Sequence, residues 1–221
     1  MKSVLIVAAH PDDEVIGCAG VSAKLIESGY EIHTVFMTDG VSARQKKTEQ
    51  ALIRKGSLIA ASKIVKYRSI ESFDFPDNKM DSVPLLEVVR VIEDVIERVK
   101  PSVIYTHHSG DLNIDHHVTH RAVMTACRPQ PGFCVKEIYA FEVLSSTEWS
   151  GSYYDHFHPN VFVDISDYID LKVKALEAYK EEMRGVPHSR SIENIIRLNQ
   201  YRGNSVGCYY AEAFMLLRKI I

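Results

Sequence analysis

The chain alternates between apolar runs of strand length and longer stretches with helical periodicity. SVLIVAA (Ser3–Ala9) is unbroken apolar sequence from Val4 on, as expected of a strand buried on both faces of a parallel sheet. A helix is predicted from Val15 to Ser28, with Gly29 as its stop. EIHTVFMT reads as a second strand, residues 43–61 as a charged helix, and IVKYRSI as a third strand. SFDFPDNKMDS, rich in Asp, Pro and Asn, is a loop. In LLEVVRVIEDVIERV, Val88, Val91, Ile92, Val95, Ile96 and Val99 recur at helical spacing, with Pro84 in the first turn and Pro101 after the end. SVIYTHH is a fourth strand and VTHRAVMTAC a short helix. EIYAFEVL and NVFVDIS are further strands, and helices follow around Leu171–Glu182 and Ser191–Arg202. The tail AEAFMLLRKI suits either strand or helix.

Strands alternating with helices predict an α/β fold, a Rossmann-like three-layer sandwich with a mainly parallel sheet. No repeat, low-complexity tract or flexible linker divides it, so residues 1–221 are expected to form a single domain. Right-handed crossovers wind the first three strands outward and return the fourth to the other side of the first. The gap between the carboxyl ends of strands one and four is then the switch point where open sheets bind ligands.

Composition narrows the function classes. A net charge of −3 and no Lys/Arg run longer than two argue against nucleic acid as a partner. No apolar run is long enough to span a bilayer, and the short apolar start meets acidic residues at once, so a cytoplasmic protein is expected. The four cysteines form no C-x-x-C pair and read as reduced core thiols. Of ten histidines, five fall between His107 and His120. That cluster follows strand four, and AHPDDE (Ala9–Glu14) follows strand one, so the topology sets the two face to face.

A catalytic zinc takes three protein ligands and keeps a position open. The first cluster offers His10 and one of Asp12 or Asp13; the other Asp is then left to face substrate as a proton acceptor. Glu14 begins the helix, where a negative side chain suits the dipole. The plain alternative is an Asp that only caps the helix. The second cluster offers a third ligand. His116 and His120 form an H-x-x-x-H pair, but Glu is missing beside the first His, which leaves His120 to packing. One of His107 and His108 is expected to face the site. Asp77 reads as a turn residue, and Trp149 as a loop anchor more readily than a sugar platform.

AHPDDE after a first strand, followed in order by FPDN (Phe75–Asn78), DLNIDHH (Asp111–His117), PHSRS (Pro187–Ser191) and YAEAF (Tyr210–Phe214), resembles the PIG-L/LmbE family of zinc-dependent de-N-acetylases. The resemblance covers most of the chain. It implies His10, Asp13 and His116 as metal ligands, Asp12 as general base, and Asp115 as an orienting carboxylate. The implied metal is Zn2+, with Fe2+ as the alternative. The implied partner is a small amino-sugar or glycoconjugate substrate, and homo-oligomerisation is left open. The chain departs from the family at Asn113, where many members carry a His that assists the amide; Asn113 is expected to donate one hydrogen bond to substrate but cannot carry a proton, so His188 or His108 is expected to help. Members also often carry Glu soon after the Arg that Arg54 matches; here none follows, although Arg54 is still expected to reach substrate. The expected activity is removal of an N-acetyl group from an N-acetylglucosamine-type sugar. An amidase for a larger acyl group and a non-catalytic sugar-binding relative are the alternatives. A nucleotide-binding Rossmann domain is disfavoured, because strand one runs into HPDDE and not into a glycine loop.

Overall fold

The computed structural model describes residues 2–41, 47–152 and 154–221. Seven strands form one sheet: β1 (Lys2–Ala8), β2 (Tyr30–Phe36), β3 (Ser69–Ser72), β4 (Val103–His107), β5 (Glu137–Phe141), β6 (Val161–Asp164) and β7 (Ala211–Lys219). Their order is β3-β2-β1-β4-β5-β7-β6. The first five strands pair in parallel; β7 runs antiparallel to both β5 and β6, which makes the ambiguous tail a strand. The helices are α1 (Asp13–Glu27), α2 (Lys47–Val65), α3 (Leu85–Val99), α4 (Ile114–Ala126), α5 (Ile169–Ala178) and α6 (Ile192–Asn204).

The central position of β1 follows from its sequence. Val4, Ile6 and Ala8 pack with α1, α2, α5 and α6, while Leu5 and Val7 pack with α3 and α4, so both faces are buried at period two. Two cores on either side of one sheet make the three layers, and β4 lies beside β1 as the crossover argument requires. Helix α1 crosses close to the sheet because Gly17 and Gly20 lack side chains. A Cβ on Gly17 would stand 2.5 Å from Phe141 Cδ2, and one on Gly20 would stand 2.7 Å from Ile165 Cγ2.

Two boundaries and one buried position differ from expectation in ways the contacts explain. Ile64 and Val65 end α2 and do not open a strand; Lys66, at φ 70°, closes the helix by donating to Ser62 O at 2.8 Å, so β3 starts only at Ser69. The β-branched pair reads locally as strand, but Val65 is held by the core. Helix α4 starts four residues before the expected Val118, because Asn113 Oδ1 accepts from Asp115 N at 2.9 Å and caps it. In α3, Val89 is buried where Val91 was expected to be. The expected helix start at residues 43–46 and Tyr153 lie outside the described residues. Among the described residues no helix is long and apolar enough to cross a membrane.

Candidate active site and metal centre

The chain leaves β1 and turns sharply into α1, and Asp12 sits in that turn at φ 120°, a conformation few non-glycine residues hold. It occupies the N-cap position, yet its side chain makes no capping bond. Glu14 does that work instead: its Oε2 accepts from Asp12 N at 2.9 Å, and its Oε1 accepts from the Tyr179 hydroxyl at 2.9 Å. Burial pushes Glu14 up to about 8. The side chain of Asp12 is thus free of local backbone duty, which removes the plain capping reading.

Three side-chain atoms converge beside it. His10 Nδ1 and His116 Nε2 each lie 3.3 Å from Asp13 Oδ2 and 3.3 Å from each other. All three residues are buried. The far nitrogen of each imidazole faces a carboxylate: His10 Nε2 is 3.0 Å from Asp115 Oδ2, and His116 Nδ1 is 3.0 Å from Asp111 Oδ1. Asp111 is fixed in turn by the Ser146 hydroxyl and by Thr147 Oγ1 at 2.6 Å. Asp115 accepts from Asn78 N at 2.7 Å and Met80 N at 3.0 Å. Imidazoles oriented from behind by carboxylates are the usual support of a metal site.

The electrostatics favour a cation at the centre. Burial opposes charge on His116, but Asp111 and Asp13 outweigh it and raise the imidazole to about 9. Burial likewise opposes charge on His10, and its hydrogen bonds with Asp115, Asp13 and Asp77 overcome this, so its pKa also rises. Against its own burial, Asp13 is held well below the carboxylate range by His116 and His10. Its second oxygen, Oδ1, is buried without a hydrogen-bond partner among the described residues. Two imidazoles and a carboxylate at these distances fit a three-ligand zinc or iron(II) site with an open position. His10, Asp77 and Asp115 form a second such group. There, however, Asp115 already accepts from two backbone N–H groups, and His10 would have to turn its other nitrogen to the ion.

Asp12 lies at the edge of this group between two guanidinium groups. Its Oδ2 accepts from Arg54 Nη1 at 3.2 Å and Arg190 Nη1 at 3.1 Å, while Oδ1 is buried without a hydrogen-bond partner among the described residues. Burial raises the Asp12 pKa, and Arg190 and Arg54 pull it part of the way back.

The other expected residues fall into place unevenly. Arg54 is buried and committed to protein: besides Asp12 it meets Glu182 at 3.0 Å, Pro11 O at 2.6 Å and Gly40 O at 3.2 Å. Glu182, just past α5, thus supplies from a distant element the carboxylate missing near Arg54 in sequence. His188 turns into its own loop, where Nδ1 accepts from Arg190 N at 3.0 Å and the ring meets Trp149 edge-on at 5.5 Å. His108 donates to Asp155 O at 2.8 Å and packs on Phe157, which anchors a loop. Of the strand-end pair it is His107 that reaches the centre: it stacks on His116 at 3.8 Å and takes the N–H of Ala9 at 2.8 Å. His120 bonds to His107 O at 2.8 Å. Asn113 is used up as a cap, with its amide nitrogen 3.4 Å from Asn78 Oδ1. Asp77, read above as a turn residue, comes within 3.3 Å of His10 Nε2. Arg190 and Asp111 went unassigned in sequence, although each lies inside a motif quoted for the resemblance.

The family model described as GlcNAc-PI de-N-acetylase matches residues 5–127, more than half of the chain. The chain belongs to the PIG-L family. It is 30% identical over 185 residues to the uncharacterized deacetylase YaiS of Escherichia coli (strain K12), covering 81% of this chain and 91% of that one. It is 29% identical over 199 residues to the diacetylchitobiose deacetylase of Thermococcus kodakarensis, covering 82% of this chain and 70% of that one. In three dimensions it is similar to the crystal structure of a 4-carboxy-2-hydroxymuconate hydratase from Pseudomonas putida KT2440, with a TM-score of 0.78, 27% identity and coverage of 100% and 98%. The fold is therefore the family's, and these relatives comprise two proteins named as deacetylases and one named as a hydratase.

Proposed function

We propose that this PIG-L member is a metal-dependent hydrolase that removes the N-acetyl group from an N-acetylglucosamine-type amino sugar. The observation that carries the reading is the buried Asp12 Oδ1, without a hydrogen-bond partner among the described residues, on the residue beside Asp13 of the His10, Asp13 and His116 cluster. The family match and the two deacetylase relatives support the amide as the bond cut.

In this mechanism His10, Asp13 and His116 would hold a divalent ion, Zn2+ or Fe2+, with Asp115 and Asp111 fixing the imidazoles from behind. The chemistry such an ion would supply when bound is polarisation of an amide carbonyl and acidification of a water. Asp12 Oδ1 would take one proton from the attacking water as the water oxygen adds to the carbonyl carbon, and would return that proton to the departing nitrogen. The C–N bond breaks, and acetate and the free amino sugar leave. Asn113 cannot carry a proton, and its amide oxygen is committed to the helix cap, so the proton traffic falls to Asp12.

The test is bound-metal content together with acetate release from a panel of N-acetylated amino sugars, for wild type and Asp12→Asn. The expected result is a stoichiometric divalent ion in both proteins and turnover only in the wild type. Absence of any bound divalent metal overturns the reading. Release of larger acyl groups only points to an amidase, and hydration of unsaturated carboxylates without acyl release points to chemistry like that of the hydratase relative.

A further inference from the structure

Among the described residues five non-glycine residues hold a positive φ, and two of them, Asp12 at 120° and Ser145 at 67°, are joined by one side chain. Arg190 Nη1 donates to Asp12 Oδ2 at 3.1 Å, and Arg190 Nε donates to Ser145 Oγ at 2.8 Å and Leu144 O at 3.4 Å. Both ends are braced. Ser145 N donates to Glu148 Oε1 at 2.7 Å. The Arg190 backbone is held by His188 Nδ1 at 3.0 Å and by Arg184 N at 3.1 Å, one residue before Ser191 caps α6. Arg54 reaches the same Asp12 oxygen from α2 at 3.2 Å. Two guanidinium groups on Oδ2 fix the plane of the carboxylate and leave Oδ1 as the one oxygen able to act.

The geometry points to Arg190 as a positioning residue: it braces Asp12 against Ser145 so that Oδ1 stays aimed at the scissile amide. The inference rests on Asp12 being the base of the proposed hydrolysis. The role suits arginine and not lysine, because a planar fork spans two acceptors at once where a single ammonium cannot. Strain held at Asp12 and Ser145 by one connector is the kind found where a reactive group must not wander.

Arg190→Ala, Arg190→Lys and Ser145→Ala are compared with wild type on a substrate that the wild type hydrolyses. For Arg190→Ala kcat is expected to fall by about 10²-fold, the usual penalty for a misplaced catalytic group. KM, bound metal and melting temperature should change little. Millimolar guanidinium should recover part of the lost rate, Arg190→Lys should recover less than the native side chain, and Ser145→Ala should lose less than Arg190→Ala. A wild-type kcat in Arg190→Ala overturns the inference. A raised KM at constant kcat also overturns it, making Arg190 a substrate contact. Loss of metal or of the fold without guanidinium rescue makes it merely structural. A crystal structure of Arg190→Ala tests the point without turnover: Asp12 should rotate while His10, Asp13 and His116 stay, and an unmoved Asp12 refutes the brace. If the wild type releases no acyl group from any amide, the proposed function fails, and the crystal structure still decides whether Arg190 holds Asp12.

Discussion

Lys172 and Glu212 are fully buried charges whose removal, singly and together, gives a sharp prediction. Lys172 Nζ lies 2.7 Å from Glu212 Oε1 and donates to Ile16 O at 2.7 Å; Glu212 accepts from Gly20 N at 2.9 Å and Val21 N at 2.7 Å. Ile16 O and Gly20 N are the acceptor and donor that an α-helix pairs with each other. The ion pair therefore occupies both ends of one rung of α1, the helix that presents Asp12 and Asp13. Lys172→Met alone strands a buried carboxylate, and Glu212→Met alone strands a buried ammonium. Either should cost about 3–5 kcal/mol. With a urea m-value of about 3 kcal/mol/M for a chain of this size, each single variant should unfold about 1–1.7 M earlier. The double variant leaves no buried charge, and Ile16 O and Gly20 N can pair with each other. It should therefore be more stable than either single variant, so the coupling in the double-mutant cycle exceeds the larger single loss and is more than about 3 kcal/mol. Urea unfolding followed by circular dichroism measures all four proteins. A double variant whose loss equals the sum of the two singles refutes the argument, because the pair would then act as two independent anchors.

Asp111→Asn should weaken metal binding by about 10–100-fold, since the neutral amide no longer orients His116 through Nδ1; competition against a chelator of known affinity measures it. Gly17→Ala should lower stability by about 1–3 kcal/mol, offset by up to about 1 kcal/mol of helix propensity, because its methyl meets Phe141 ring atoms at 2.5 and 2.8 Å. Thermal unfolding gives the net, and since Phe141 packs on His107 at 4.8 Å the same variant should also bind metal less tightly. Cys18 and Cys127 are buried, with burial driving Cys18 well above the usual thiol range and Cys127 up to about 12, so a thiol ends as thiolate only far above neutrality. At pH 8 a thiol reagent should modify neither in the folded protein and both after denaturation, as peptide mass analysis can show.

What was legible in the sequence is whatever a short window encodes. Strand β1 shows because both of its faces are buried, so it carries no polar alternation. Helix α3 shows because one apolar stripe serves one core, and its observed span is the expected one. The pairing of the two polar clusters across the switch point shows because handedness leaves β4 only one side of β1 to occupy. The partners that hold the reactive side chains are a different matter. Glu182 meets Arg54, Arg190 meets Asp12 and Asp77 meets His10 across separations in sequence that no periodicity spans. The PHSRS segment makes the point most clearly. A histidine attracts a catalytic reading on its chemistry alone, whereas an arginine in a loop is usually solvated. In the fold, His188 accepts the N–H of Arg190, and the arginine goes to Asp12. The residue of obvious reactivity shapes the loop, and the residue of ordinary appearance reaches the reactive carboxylate. Asn113 follows the same logic in reverse. Its place in a motif suggests chemistry, but its oxygen caps α4, and that cap sets the first turn from which Asp115 and His116 project to His10 and Asp13. A histidine at this position would have to cap that helix by other means before it could assist any reaction.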